Sequence, residues 1–359
     1  MKLATVVALI GALSTAAAAQ APVPSGTLLV LAKSDLTLST VAPATFKVIG
    51  RLPSGPDPHE VVASADGRLA FVSNYGFGAF NTITVVDLVE QKALPPIDLG
   101  ALRGPHGLAF VAGKLWFTAE NAKVIGSYDP ATRQIDLVLG TGQNRTHMIF
   151  VSADANRIVT SNVSSATLTI IEKTAGGRRG IGPGGPPPGG AARGGSQAGG
   201  RRGFGGPPQS DWDGTAVSVG RGVEGFDVSP NGREIWAANA QDGTVSIVDV
   251  ATKKVTETLA ANVGGANRLK FTPDGKLVFV STLAGPDLTI IDAATRRETK
   301  RLKVGRGAAG IQMQPDGSRA YVAAMLDDYV AVIDLKSLEV AGRIEAGKQP
   351  DGMAWAVRR

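Results

Sequence analysis

The sequence predicts an all-β fold, a seven-bladed β-propeller with four antiparallel strands per blade. Three observations predict it. Short apolar runs are separated by turn signals about every 8–12 residues, which is the punctuation of strands rather than helices. An internal repeat of about 42 residues, enough for four short strands, runs along the chain. The two ends each carry part of one further copy, so joining them closes a ring and leaves only short, protected sheet edges. A β-solenoid would have a shorter repeat, and paired sandwiches would not show this period.

Taken in order, the chain begins MKLATVVALIGALSTAAAAQ. Lys2, a short apolar run and the small residues Ala17 and Ala19 are the parts of a secretory signal peptide over residues 1–19. Residues 20–359 then form one domain, exported to the periplasm or secreted. Residues 27–55 (TLLVLAK, LTLSTV, FKVIGRL) match strands two to four of the repeat, and PDGMAWA near the C-terminus matches strand one. Between them lie six full copies, at 56–100, 101–142, 143–220, 221–264, 265–305 and 306–347. Within each copy a Gly/Pro-rich entry precedes strand one, as in GFDVS. A turn such as SPNG or TPDG leads to strand two, as in LAFVSN or EIWAAN. Strand three ends in Asp (ITVVDL, VSIVDV, LTIIDA, VAVIDL), and strand four closes the copy. The third copy is longer because it holds residues 175–209, built almost entirely of Gly, Pro, Arg, Ala, Ser and Gln. Such a composition cannot bury enough apolar surface to offset the entropy of ordering, so a disordered loop is expected between strands three and four.

Composition excludes several functions. The formal charge is +6, but Lys2 and five arginines of the 175–209 segment account for that excess. The folded part is therefore close to neutral, which argues against nucleic acid as a partner. The chain has no cysteine, which excludes disulfides and covalently attached c-type haem. No nucleotide cofactor is expected. No later run of roughly twenty apolar residues suggests a membrane span. A monomer is expected.

The chemistry concentrates at one position of the repeat. His59, His106 and His147, the chain's three histidines, each stand at the start of strand one, in PDPHEV, GPHGLAF and RTHMIF. Other copies carry Glu224, Asn267, Ala309 and Asp351 there, so the fold does not require imidazole. In a propeller, strand one lines the central channel, and the loops before strand one and after strand two share one face. The histidines should therefore ring the mouth of the channel. Strand two ends, on the same face, at Asn74, Glu120, Asn162, Asn239, Thr282 and Ala324, so that Glu120 interrupts a run of Asn.

Imidazoles with a carboxylate form a ligand set for a divalent metal ion, from His59, His106, His147, Glu120 and Glu224. Without a metal, a histidine held by Glu120 or Glu224 suits acid–base work near neutral pH. The bland alternative is that polar side chains simply hydrogen-bond in a water-filled channel. Further candidates for ligand contact are Tyr75 in the loop Asn74–Phe80, Arg145 and Arg268, which suit a carboxylate, and Asn267 and Asp351 at the histidine position.

The motifs FVSN (71–74), SPNGREIWAAN (229–239) and QPDGSRAYVAA (314–324) resemble the YVTN propeller family over nearly the whole mature chain. The second copy, GPHGLAFVAGKLWFTAENAKVIGSYDP (104–130), resembles blades of the streptogramin B lyases. Those seven-bladed enzymes open a cyclic depsipeptide lactone by elimination, with Mg²⁺ and catalytic His and Glu. The matching positions are His59, His106 and Glu120, and Gly104 stands where the family has a second Glu. RTHMIF offers a looser likeness to sugar-lactonase propellers. The expectation is thus an exported propeller with a His/Glu ligand or metal site, acting as a metal-assisted lyase or lactone-opening enzyme on a small molecule. The alternative is a non-catalytic scaffold for envelope proteins.

Overall fold

Each copy of the repeat places its most apolar strand second, and that strand is where burial is greatest. Leu69–Asn74, Glu234–Asn239 and Arg319–Ala324 are buried at every residue but the first. The fourth strands are the most exposed, Lys254–Leu259 almost wholly so. Burial therefore peaks in the middle of each blade, with the innermost strand partly open to the channel and the outermost to solvent.

The computed structural model describes residues 26–174 and 211–357. The signal peptide expected at 1–19 and the disordered insert expected at 175–209 lie outside the described residues. The described residues form seven four-stranded antiparallel sheets. In the third blade, Thr167–Thr174 pairs with Asp211–Ser218 and sets Thr174 opposite Asp211, so the insert joins strands three and four. In the closing blade, C-terminal Pro350–Val357 pairs with Gly26–Ala32 and supplies the innermost strand. The innermost strands follow one another around the axis: Pro58–Ala63, Pro105–Val111, Thr146–Val151, Val223–Val228, Ala266–Phe271, Ala308–Met313 and Pro350–Val357, which packs back on Pro58–Ala63. None of the described helices is long and apolar enough to cross a membrane.

The turns behave as their residues dictate. The Asp ending strand three accepts backbone N–H groups two and three residues on, as Asp87 does from Val89 and Glu90.

Three regularities position the channel mouth. First, in all seven blades the register between strands one and two shifts at the second and third residues of strand one. These bulges unpair the very residues that face the channel and re-aim their side chains. Second, a hydroxyl in strand two secures the bulge. Thr118 Oγ1 accepts the Gly107 N–H at 2.9 Å and donates to the His147 carbonyl of the next blade at 2.6 Å. Ser161 repeats the pattern with Met148 and Glu224, and Ser281 with Arg268 and Ala309. Third, the residue two before the histidine position has positive φ in every blade: Asp57, Gly104, Arg145, Gly222, Gly265, Gly307 and Gln349. Glycine is the unstrained choice there, so Asp57, Arg145 and Gln349 carry a cost of about 1 kcal/mol each.

Candidate functional site

The second residue of each innermost strand is His59, His106, His147, Glu224, Asn267, Ala309 or Asp351. The three imidazoles meet. The His59 and His106 ring centroids are 5.1 Å apart, and His106 and His147 are tilted against each other at 3.7 Å. His106 and His147 are each 2 % exposed. His59 sits at the more open edge of the cluster, with 12 % of its side chain accessible.

The pairing of strands corrects one expectation. Pro105 lies opposite Ala119, as Pro58 lies opposite Asn74, so Ala119 and not Glu120 shares the Asn position. The Asn side chains are anchors within their own blades: Asn74 Nδ2 donates to the Ser54 carbonyl and Oδ1 accepts from Thr84. Glu120 stands one residue further, where the other blades carry Lys33, Tyr75, Val163, Ala240, Leu283 and Met325. Backbone contacts confirm the equivalence, because the N–H at this position bonds the carbonyl of the positive-φ residue. Lys33 thus bonds Gln349, Tyr75 bonds Asp57, and Glu120 bonds Gly104.

That position gives each histidine a partner from the preceding blade. Lys33 Nζ is 2.7 Å from His59 Nε2. The Tyr75 ring lies edge-on to His106 at 5.0 Å. Glu120 Oε1 accepts from His147 Nδ1. Glu120 Oε2 also accepts the Tyr75 hydroxyl proton at 2.5 Å. Arg145, from its positive-φ site, reaches Glu224 Oε1 at 3.2 Å and lies 3.7 Å from Glu120. His147 Nε2 is 3.4 Å from Glu224 Oε1, an ion pair rather than an aligned hydrogen bond. Asp351 joins the opposite edge through Lys33 at 3.4 Å, with Asp57 at 3.8 Å.

These surroundings divide the histidines. Burial, and then the neighbouring His147 and His59, push the His106 pKa well below its ordinary value. Burial and the Lys33 ammonium lower that of His59. His147 goes the other way: burial opposes its charge, but Glu120 and Glu224 outweigh that and raise its pKa. Glu224 is lowered to about 2, since His147, Arg268 and Arg145 overcome its burial. Burial and the bond to Glu120 raise the Tyr75 hydroxyl. The cluster thus sets His106, whose proton affinity is lowered, against His147, whose proton affinity is raised.

All the expected site residues except Asn267 and Arg268 fall into this connected cluster. Asn267 is buried, and its Oδ1 has no hydrogen-bond partner. Arg268, one residue deeper, pairs with Glu60 across the ring. Glu60, Lys33 and Asp57 were not foreseen from sequence. Glu60 and Asp57 were readable in part, since each replaces a glycine common at its position in other copies. Among the described residues, no group of three or more His, Asp or Glu side chains is placed to hold a metal ion. Lys33, Arg145 and Arg268 place three cationic side chains among the same residues. Away from the histidines, a groove of ≈ 620 Å³ lies between the closing and first blades at Thr40, Arg68 and Val89.

No protein-family model matches the sequence, and no curated protein does. The fold has many solved counterparts. A functionally unknown protein from Desulfotomaculum acetoxidans DSM 771 superposes with a TM-score of 0.68 at 12 % identity, over 93 % of this chain and 100 % of its own. A candidate 6-phosphogluconolactonase from Bacteroides uniformis ATCC 8492 gives 0.70 at 13 % identity, over 92 % and 99 %. Hydrazine synthase from Kuenenia stuttgartiensis gives 0.66 at 15 % identity, over 92 % and 100 %. The chain is a seven-bladed β-propeller. Identities this low carry the fold and not the activity.

Proposed function

We propose that this propeller is an exported protein whose channel mouth binds a small carbonyl-bearing ligand and transfers protons to and from it. The observation that carries this reading is the contact between His106 and His147, one with its proton affinity lowered and the other with it raised. Two groups of one kind with opposed proton affinities divide the roles of base and acid. His106 is the base: its Nδ1 is buried without a partner, so its lone pair or proton is not consumed by the fold. The imidazolium of His147, fixed by Glu120 and Glu224, favours negative charge developing on the ligand. The Tyr75 ring stands edge-on to His106, and its hydroxyl donates to the Glu120 that holds His147.

Ester or lactone opening is the reaction class we favour, because His59, His106 and Glu120 match, by the sequence resemblance, the positions of catalytic residues in streptogramin B lyases, with Gly104 in place of a further Glu. One neighbour of the same fold is a candidate phosphogluconolactonase. The donor set suits proton transfer better than a divalent cation, since Lys33 already lies against His59. A second reading, a non-catalytic scaffold of YVTN type, is favoured by the deep burial of His106 and His147 and by the Arg268–Glu60 closure beneath them.

Proton NMR of the three histidines, with turnover of a lactone and ester panel, tests the proposal. We expect His106 and His147 to titrate on opposite sides of pH 6.5, a value typical of free histidine, and His106→Ala to abolish turnover. Histidines that titrate together, or turnover unaffected in His106→Ala, refute it. Turnover that appears only with added Mg²⁺ or Mn²⁺, and vanishes with chelator, replaces it with the metal-assisted version.

A further inference from the structure

We propose that Arg268 anchors a carboxylate group of the ligand, and that Glu60 occupies that anchor until the ligand displaces it. This rests on the channel mouth being a ligand site.

The third residue of the innermost strand is glycine in four blades: Gly107, Gly225, Gly310 and Gly352. A Cβ at those positions would come within 2.5, 2.6, 2.2 and 2.2 Å of the adjoining blade's innermost strand. Packing of the ring therefore favours no side chain here. The exceptions are Glu60, Met148 and Arg268, and two of them are opposite charges that meet.

They meet across the full width of the ring. Glu60 belongs to the first blade and Arg268 to the fifth, and no two blades of seven stand further apart. A side-chain bond between them crosses the channel one residue below the histidines. Nothing in a single sheet or in the contact between neighbours calls for it.

The bond underuses the guanidinium. One nitrogen, Nη2, contacts a single Glu60 oxygen, while Nη1 donates to the Asn267 carbonyl at 3.2 Å. A guanidinium presents a planar fork that a carboxylate engages with both oxygens, and such paired bonds are the stronger kind. Arg268 is 5 % exposed, so it cannot be left without an anion. A carboxylate arriving from the mouth supplies one as Glu60 leaves. The His106 Nδ1 and Asn267 Oδ1 atoms are both buried and unpartnered, the first able to donate to a ligand oxygen and the second to accept from a ligand hydroxyl. The ligand class is then a small organic acid, or an ester or lactone that carries a free carboxylate.

Calorimetric titration of the full chain with succinate, and with succinamide as the uncharged control, tests this. Glu60→Gln removes the internal competitor, and we expect it to bind succinate at least tenfold more tightly than wild type. Arg268→Met should lose binding, and Arg268→Lys, which keeps the charge without the fork, should be weakened about tenfold. Succinamide should not bind. Glu60→Gln binding no tighter than wild type overturns the proposal, and so does Arg268→Lys binding equally well. These two variants decide the matter if Arg268→Met does not fold. The histidine titrations in the same samples separate the two readings. Histidines still split, with no gain in Glu60→Gln, remove the anchor and leave the proton-transfer site. Histidines that titrate together remove the site itself.

Discussion

Glu120 Oε1 accepts the Nδ1 proton of His147 across the boundary between the second and third blades. Both side chains are almost fully buried. Replacing Glu120 by Gln keeps the shape and an acceptor but removes the charge. The pKa of His147 should fall, and stability should drop by about 2 kcal/mol. Proton NMR of His147 and chemical denaturation measure the two effects. An unchanged His147 titration would show that Glu224 alone sustains the charge.

Stability should peak between the acid and alkaline sides of the cluster, for reasons whose signs differ. Glu224 has a depressed pKa, so its contribution is present above pH 4.5 and lost as pH falls toward about 2. At about 1.4 kcal/mol per unit, this is on the order of 3 kcal/mol, shared with His147. His106 and His59 are also depressed, so protonating them as pH falls below 6.5 destabilises the fold. His147 is raised, so its contribution is present below 6.5 and lost as pH rises through its higher folded value. Thermal melts across pH 3–9 should show both declines, and Glu120→Gln should flatten the alkaline one.

Thr118 links two blades with one oxygen, as acceptor from Gly107 and donor to His147. Thr118→Val is nearly isosteric and leaves both backbone groups unpaired, at a cost of about 2–3 kcal/mol. Thr118→Ser should restore most of it. A Val variant as stable as wild type would show that water replaces the hydroxyl.

Gln349 holds positive φ at a position where four other blades use glycine. Gln349→Gly should stabilise by about 0.5–1 kcal/mol, net of the greater freedom of the unfolded chain. Arg145 has the same backbone, but Arg145→Gly also removes its contacts with Glu120 and Glu224. Its stability gain should be smaller, and the His147 pKa should rise as a neighbouring cation is lost. Melting temperature and NMR titration of the pair of variants distinguish backbone relief from lost charge.

Much of this architecture was legible along the chain because each blade repeats the same local physics. The period, the turn residues and the split seventh copy specify the ring, and the position of the histidines before strand one places them at a common mouth. The Glu120 assignment slipped by one residue because sequence shows where a strand becomes polar but not which residue faces which. The pairing of Pro105 with Ala119 decides that, and a slip of one residue turns a side chain to the other face. Glu120 consequently belongs with Lys33 and Tyr75, each set against the histidine of the following blade.

What the sequence determined by itself is whatever recurs at fixed spacing: strands, turns, the closing blade and the shared height of three imidazoles. What the tertiary structure decided is which charges meet. Lys33 against His59, Glu224 beside His147 and Arg268 on Glu60 join residues far apart in the chain. Such pairs follow from closing the ring, which brings distant side chains into one low-dielectric space where each sets the proton affinity of the others.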